Sequence, residues 1–329
     1  MFPIAANINF QMLGANLTNP TLLFFVLGII ATAIKSDLEI PGPSIKFISL
    51  YLLFSIGFKG GQELQHSSFN AEIGYSLVFG MLIATLIPLY SFFILKKRVG
   101  VSNAGAIAAA YGSVSAVTFV SAVSFLEMQS IQFGGHMVAV MALMEFPAIV
   151  VGFILIMQFD KEEKSASVGI GSILRHAVSN GSVLMIMGSL IIGIIADSKQ
   201  AEGIKPFTTD IFKGFLAIFL LEMGMLTAKR FAAFRQHGWF VFFFAIMVPC
   251  INGCLVAYAS QLITHQEGNR FIFAILAASA SYIAVPAAMR LAAPKSDPGL
   301  YIPMALGVTF PFNVTLGMPL YYMIIHCLG

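Results

Sequence analysis

Residues 277–290 read AASASYIAVPAAMR, and a stretch of the same kind, AAAYGSVSAVTFVSA, occupies 108–122. Each lies within an apolar run of membrane-spanning length. Each combines small residues with a Ser-x-Ser pair and further hydroxyls, and each carries a residue that interrupts a helix. Pro286 has no amide hydrogen and clashes with the carbonyl of Tyr282, which frees backbone groups there. Gly112 reaches backbone conformations that other residues avoid. Opened backbone at membrane depth is tolerated only inside protein or beside a wet cavity. The pair therefore predicts two broken helices that meet in the interior of a membrane protein.

The remainder of the chain fits that frame. Of its 329 residues 58% are hydrophobic and 10% charged, and mean hydropathy is +0.88. Soluble domains carry about 25% charged residues. The apolar runs are continuous rather than alternating, so helices and not barrel strands cross the bilayer. Ten runs are expected, at 20–35, 44–58, 70–95, 102–126, 133–158, 180–196, 208–227, 238–264, 268–290 and 299–326. The second is short and ends at Lys59-Gly60-Gly61. The fold class expected is an all-α polytopic membrane protein. The start of the chain, MFPIAANINFQ, has no basic region ahead of an apolar stretch, so no cleaved signal peptide is expected.

The two halves resemble one another. VLGIIAT (26–32) matches IIGIIAD (191–197), and LLFSIGF (52–58) matches IFLLEMGM (218–225) with Gly57 opposite Gly224. Ser113-x-Ser115 matches Ser279-x-Ser281, and Phe146-Pro147 matches Phe310-Pro311, all at nearly the same spacing. The expected organisation is a first five-helix repeat over 1–160, a connector over 161–178 and a second five-helix repeat over 179–329.

Charge sets the orientation. Thirteen of the 18 Lys and Arg residues follow odd-numbered runs, including Lys96, Lys97 and Arg98. Five follow even-numbered runs: Lys59, Lys199, Lys205, Lys213 and Arg270. The positive-inside rule then puts the 161–178 connector in the cytoplasm and both termini outside, in the cell (inner) membrane. Five runs per half invert the second half relative to the first, so the ten helices form two inverted repeats. That plan is typical of secondary transporters, with the site near the midplane where broken helices meet.

At that meeting point Gly112, Ser113, Ser115, Thr118, Ser279 and Ser281 offer hydroxyls, backbone amides and helix N-terminal dipoles. Such a set holds a small anion without a fixed basic residue. The same residue types also let helices pack closely, and that reading stands beside the first. Two acids, Glu145 in MALMEFPAIV and Glu222 in FLLEMGM, lie within apolar runs, where a carboxylate is a functional candidate by default. Glu145 fits cation coordination or proton transfer, with a structural hydrogen bond beside Pro147 as the alternative. Cys250, Cys254 and Cys327 read as small core hydrophobes, and His136 and His326 as interfacial packing residues. No G-x-S-x-G, H-E-x-x-H or Walker loop is present, so no enzyme is expected. The net charge of +3 is scattered through short loops, which argues against a nucleic-acid partner. The partners expected are a small anion and the lipid bilayer, with no cofactor beyond a coupling ion.

These residues resemble the SbtA-type sodium-dependent bicarbonate transporter family across all ten runs. The resemblance rests on IGFKGG (56–61), YGSVSAVT (111–118), MEFPAIV (144–150), MGM (223–225) and AASASYIAVP (277–286), followed by Arg290, Pro294, Pro298 and Tyr301. It implies a core domain moving against a scaffold domain, a homotrimer, and an anion held between the broken helices. Matching positions give Gly112, Ser115, Thr118, Ser279 and Ser281. There are departures from the family pattern. Tyr282 stands in place of an Asp, Ala284 and Val285 in place of Ser and Gly, Ala116-Val117-Thr118 in place of G-S-T, and Glu145 in place of an Asp. Tyr282 and Glu145 are thus the candidates for coupling, to a sodium ion or to a proton. The connector is shorter than the family's long cytoplasmic loop, so a PII-like regulatory partner is not carried over. The function expected is a secondary transporter for a small anion, bicarbonate first, by alternating access. A proton-coupled carrier of another small solute, or a membrane sensor or channel, is the alternative.

Overall fold

A computed structural model describes residues 20–66, 70–160, 171, 175, 179, 181–234 and 238–328. The first 19 residues and most of the expected connector lie outside the described residues. The described chain is helical and contains no strand. The principal helices are α1 (Pro20–Ala33), α2 (Gly42–His66), α3 (Ala71–Val99), α4 (Val101–Gly112), α5 (Ala116–Met128), α6 (His136–Phe159) and α7 (Gly181–Ile195). They continue with α8 (Phe212–Phe234), α9 (Trp239–Ala259), α10 (Glu267–Ala278), α11 (Ala284–Ala292) and α12 (Pro298–Cys327).

Local chemistry sets several of these ends. Pro20 opens α1, where its missing amide hydrogen costs nothing. Asn70 caps α3 by accepting the Ile73 amide at 3.2 Å. Lys96, Lys97 and Arg98 fill the last turn of α3, where cations suit the helix dipole. Gly100, at φ +83°, then turns the chain into α4.

Among the described residues six segments are long and apolar enough to cross a membrane: Ala71–Val99, Val101–Met128, His136–Phe159, Pro206–Arg230, Trp239–Leu262 and Pro298–Cys327. Two apolar helices, Pro20–Ala33 and Gly181–Ile195, are shorter. The remaining expected runs, 44–58 and 268–290, fall on α2 and on the α10–α11 pair. Outward faces are apolar too: Val78, Leu82 and Leu86 line one side of α3, and Phe243, Met247, Ile251 and Leu255 one side of α9. The chain is a multi-pass membrane protein.

The helices sort into two groups. In the first, α1 packs along α8 and α2 along α7, with backbones nearly touching. A side chain at Gly28 would run into the backbone of Leu221 and Met225, and one at Gly224 into that of Phe25. Across the other pair, Gly61 and Gly193 face each other and Gly57 abuts Ile186 and Ser189. Small residues provide this close approach, and with it the dispersion contact that holds helices together in lipid. In the second group, α3, α4 and α6 pack together, as do α9, α10 and α12.

One boundary differs from the sequence reading. The second run does not stop at Lys59-Gly60-Gly61; α2 continues to His66. Lys59 is accommodated because its ammonium meets Glu127 of α5 at 3.2 Å. Gly60 and Gly61 do not end the helix but bring it against Gly135 and Val138 on one side and Leu190 and Gly193 on the other.

Candidate functional site

The break between α4 and α5 is built from its residues. α4 ends at Gly112, and Ser113 and Ser115 are extended. Ser115 caps α5, its Oγ accepting the Thr118 amide at 3.2 Å. In the second break, α10 ends at Ala278, Ser279 is extended and α11 starts at Ala284. Pro286 occupies the first turn of α11, where no intrahelical donor is needed. It leaves the Tyr282 carbonyl without a helical partner, so the helix does not extend back through that residue. The Oγ of Ser281 accepts the Val285 amide at 3.4 Å.

The two breaks complete each other. The Ser115 amide donates to Ser279 Oγ at 3.0 Å, and the Ser281 amide donates to the Ala110 carbonyl at 2.8 Å. Ser279 Oγ in turn donates to the Leu276 carbonyl at 2.9 Å. Asn313, in a π-helical stretch of α12 (Asn313–Gly317), donates to the Ala278 carbonyl at 2.7 Å and accepts from Tyr321 at 3.2 Å. Asn313 therefore caps the broken end of α10. Its signal in the sequence is a lone amide in an apolar run, two residues after Pro311.

A small cavity lies against the crossing, with a volume of about 10 Å³, the lower limit for one water molecule. Ser115 and Ala116 line it from the first break, and Ser281, Tyr282, Ile283 and Ala284 from the second. Glu145 of α6 and Ser182 of α7 complete the polar wall. The N-terminal ends of α5 and α11 both reach this space, so their helix dipoles favour negative charge there. Glu145 brings the one carboxyl group among the lining residues.

The six expected anion residues divide into two sets. Ser115 and Ser281 line the cavity. Gly112, Ser113, Thr118 and Ser279 are not among its lining residues. Gly112 is a packing residue: a Cβ there would strike Pro88 and meet Ala148. Ser113 Oγ is fully buried with no hydrogen-bond partner among the described residues. Thr118 contributes its amide to the Ser115 cap, and Ser279 is taken up by the crossing. Both coupling candidates line the cavity. Glu145 is 5% exposed and makes no hydrogen bond or ion pair with a described residue, so the structural bond beside Pro147 is not formed. The Tyr282 hydroxyl donates to Met223 Sδ of α8 at 3.7 Å. Glu222, half-buried on α8, is not in the lining. Ser182 was missed in sequence because a single Ser at the start of an apolar run carries no pattern. Among the described residues no group of His, Cys, Asp and Glu is arranged to hold a metal ion.

The model of one protein family, the Na+-dependent bicarbonate transporter superfamily, matches residues 20–326. No curated protein matches the chain.

Proposed function

The chain belongs to the Na+-dependent bicarbonate transporter superfamily, a family of transporters and not of enzymes, and from that premise we propose that it carries bicarbonate through the cavity between its two broken helices, by alternating access. The observation that carries this reading is the reciprocal pair of bonds at the crossing, Ser115 to Ser279 and Ser281 to Ala110. They bring two helix N-termini and two free-edged serines to one point beside a single carboxylate. The helix N-terminal dipoles and the hydroxyls of Ser115 and Ser281 suit a small oxyanion. The oxygens of Glu145, Tyr282 and Ser182 suit a hard cation, which prefers carboxylate and hydroxyl ligands over nitrogen or sulfur. The cavity is too small for bicarbonate as it stands, so loading requires the α1–α2–α7–α8 group to move relative to the rest.

The reading extends to architecture. We propose ten spans in two inverted repeats, 1–160 and 179–329, with α1, α2, α7 and α8 as scaffold and the other helices as the moving core. The glycine contacts support it. Gly28 of the first helix of one half grips the second helix of the other, and Gly193 does the same in reverse. Both termini outside, the connector in the cytoplasm and a trimeric assembly belong to the same proposal; the first two rest on the charge bias and the trimer on family resemblance.

Sodium is the coupling ion the family favours. Glu145 brings the one carboxyl group to the cavity for a coupled ion, and it serves a proton equally well. Uptake of labelled bicarbonate into proteoliposomes tests the whole reading. Accumulation that saturates with substrate and is driven by an inward sodium gradient is the expected result. Flux that never exceeds equilibration would show a channel.

A further inference from the structure

The central cavity uses one end of α5 only. Along the rest of that helix Ser115, Thr118, Ser121 and Ser124 recur every third residue, and all are buried, at 3%, 1%, 6% and 4% exposure. Each step of three residues turns the position by about 60° round the helix, so Ser121 and Ser124 are neighbours while Ser115 lies on the opposite side of α5 from Ser124. Ser115 is a cap, and Ser121 Oγ donates to the Val117 carbonyl at 3.0 Å. Ser124 has no such local use: its hydroxyl makes no hydrogen bond with a described residue.

Ser121 and Ser124 both line a second cavity, of about 20 Å³, enough for one water molecule. It lies between α5 and α12 on one side and α1 and α8 on the other, with Thr21, Leu220 and Met318 in its wall. It therefore sits on the seam between the two helix groups. At the end of α5, Glu127 meets Lys59 of α2 at 3.2 Å and Lys213 of α8 at 3.9 Å, across the same seam. Met128, the next residue, lines the second cavity.

We propose that the Ser121–Ser124 side of α5, on the seam between the two helix groups, lines the outer half of the solute route, and that the Ser121–Ser124 cavity is a second binding position for a small hydrated oxyanion, closed at its mouth by Glu127 with Lys59 and Lys213. The inference rests on the central cavity being the transport site. Ser124 supplies a free hydroxyl donor, and the water that fits beside it is replaced by the anion as the seam widens. Separation of the groups also parts Glu127 from both lysines, which leaves two cations at the mouth to attract an anion.

The test uses the full chain with Cys250, Cys254 and Cys327 replaced by Ala. Ser124→Cys and, as a lipid-facing control, Leu23→Cys are exposed on the outer side to a small anionic thiol reagent, methanethiosulfonate ethylsulfonate. Cys at 124 should react at least roughly tenfold faster than Cys at 23, a barrier difference near 1.4 kcal/mol, and sodium bicarbonate should slow it. Equal rates would overturn the route, and reaction that bicarbonate leaves unchanged would overturn the binding position. In parallel, Ser124→Leu should cut bicarbonate uptake at least roughly tenfold, and calorimetry in sodium should keep the central binding event and lose the second. Parent-like uptake would overturn the proposal. If the parent itself neither binds nor transports bicarbonate, the assigned substrate fails, and the labelling rates alone decide the route.

Discussion

The Ser115 amide and the Ser279 hydroxyl, 164 positions apart in the chain, form a hydrogen bond of 3.0 Å at the centre of the fold. Ser279→Ala leaves that buried amide without an acceptor. The expected cost is about 1–3 kcal/mol of stability, the penalty for an unsatisfied buried donor. Thermal unfolding of the purified protein in detergent, against the parent, measures it. An unchanged midpoint would show that the crossing does not depend on this bond.

Ser115 and Ser281 should matter to ligand more than to fold. Ser281→Ala is expected to weaken bicarbonate binding by about 1–2 kcal/mol, the scale of a hydrogen bond to a charged group. Ser115→Ala should do the same and also lose about 1 kcal/mol as a helix cap. Titration calorimetry in sodium reads the first effect and unfolding the second. Parent-like affinity in both variants would return the two serines to a packing role.

Glu145→Gln keeps the shape of the side chain and removes its charge. It should abolish the ion dependence of transport, whichever ion is used. Uptake across a sodium series at fixed pH, then across a pH series at fixed sodium, separates the two ions. Saturable sodium dependence that persists in the variant would place the cation elsewhere.

Gly28→Leu puts a side chain where the backbones of Leu221 and Met225 already lie. Overpacking costs about 1–3 kcal/mol where neighbours can shift, and here the neighbours are backbone. Loss of monodisperse protein on size exclusion is expected, whereas Gly74→Leu, at an open position, should behave as the parent.

The proposed orientation is checked by single cysteines at two exposed positions between membrane spans. A probe at Gln200 should be reached by an impermeant reagent from outside and one at Asp37 should not. The reverse pattern would invert the topology.

Both helix breaks were legible in the sequence, because Ser-x-Ser beside Gly112 or ahead of Pro286 is a local signal. The correspondence of Gly28 with Gly193 and of Gly57 with Gly224 was legible too, through the repeat, but not the close helix packing they serve, because the helices they meet are far away in the chain. The far end of α2 was not legible either. Lys59 looks like a terminus until its partner Glu127 is placed, and that partner is on another helix. The division among the hydroxyls was hidden for the same reason. Whether a serine faces the cavity, as Ser281 does, or is consumed by the crossing, as Ser279 is, depends on the register between helices far apart in sequence.

The reciprocal bonds at the breaks also bear on how the chain is made. Among the described residues the Ala110 carbonyl accepts from the amide of Ser281, and the glycines at 28, 57 and 61 pack α1 and α2 against α8 and α7 of the second half. The first half therefore leaves the ribosome with its seams open and an unfinished break at membrane depth. It stays in that condition until nearly the whole chain has been synthesised. Insertion machinery must shelter the early helices through that interval, and a truncation that removes the residues after Ala278 deprives the first half of its own centre.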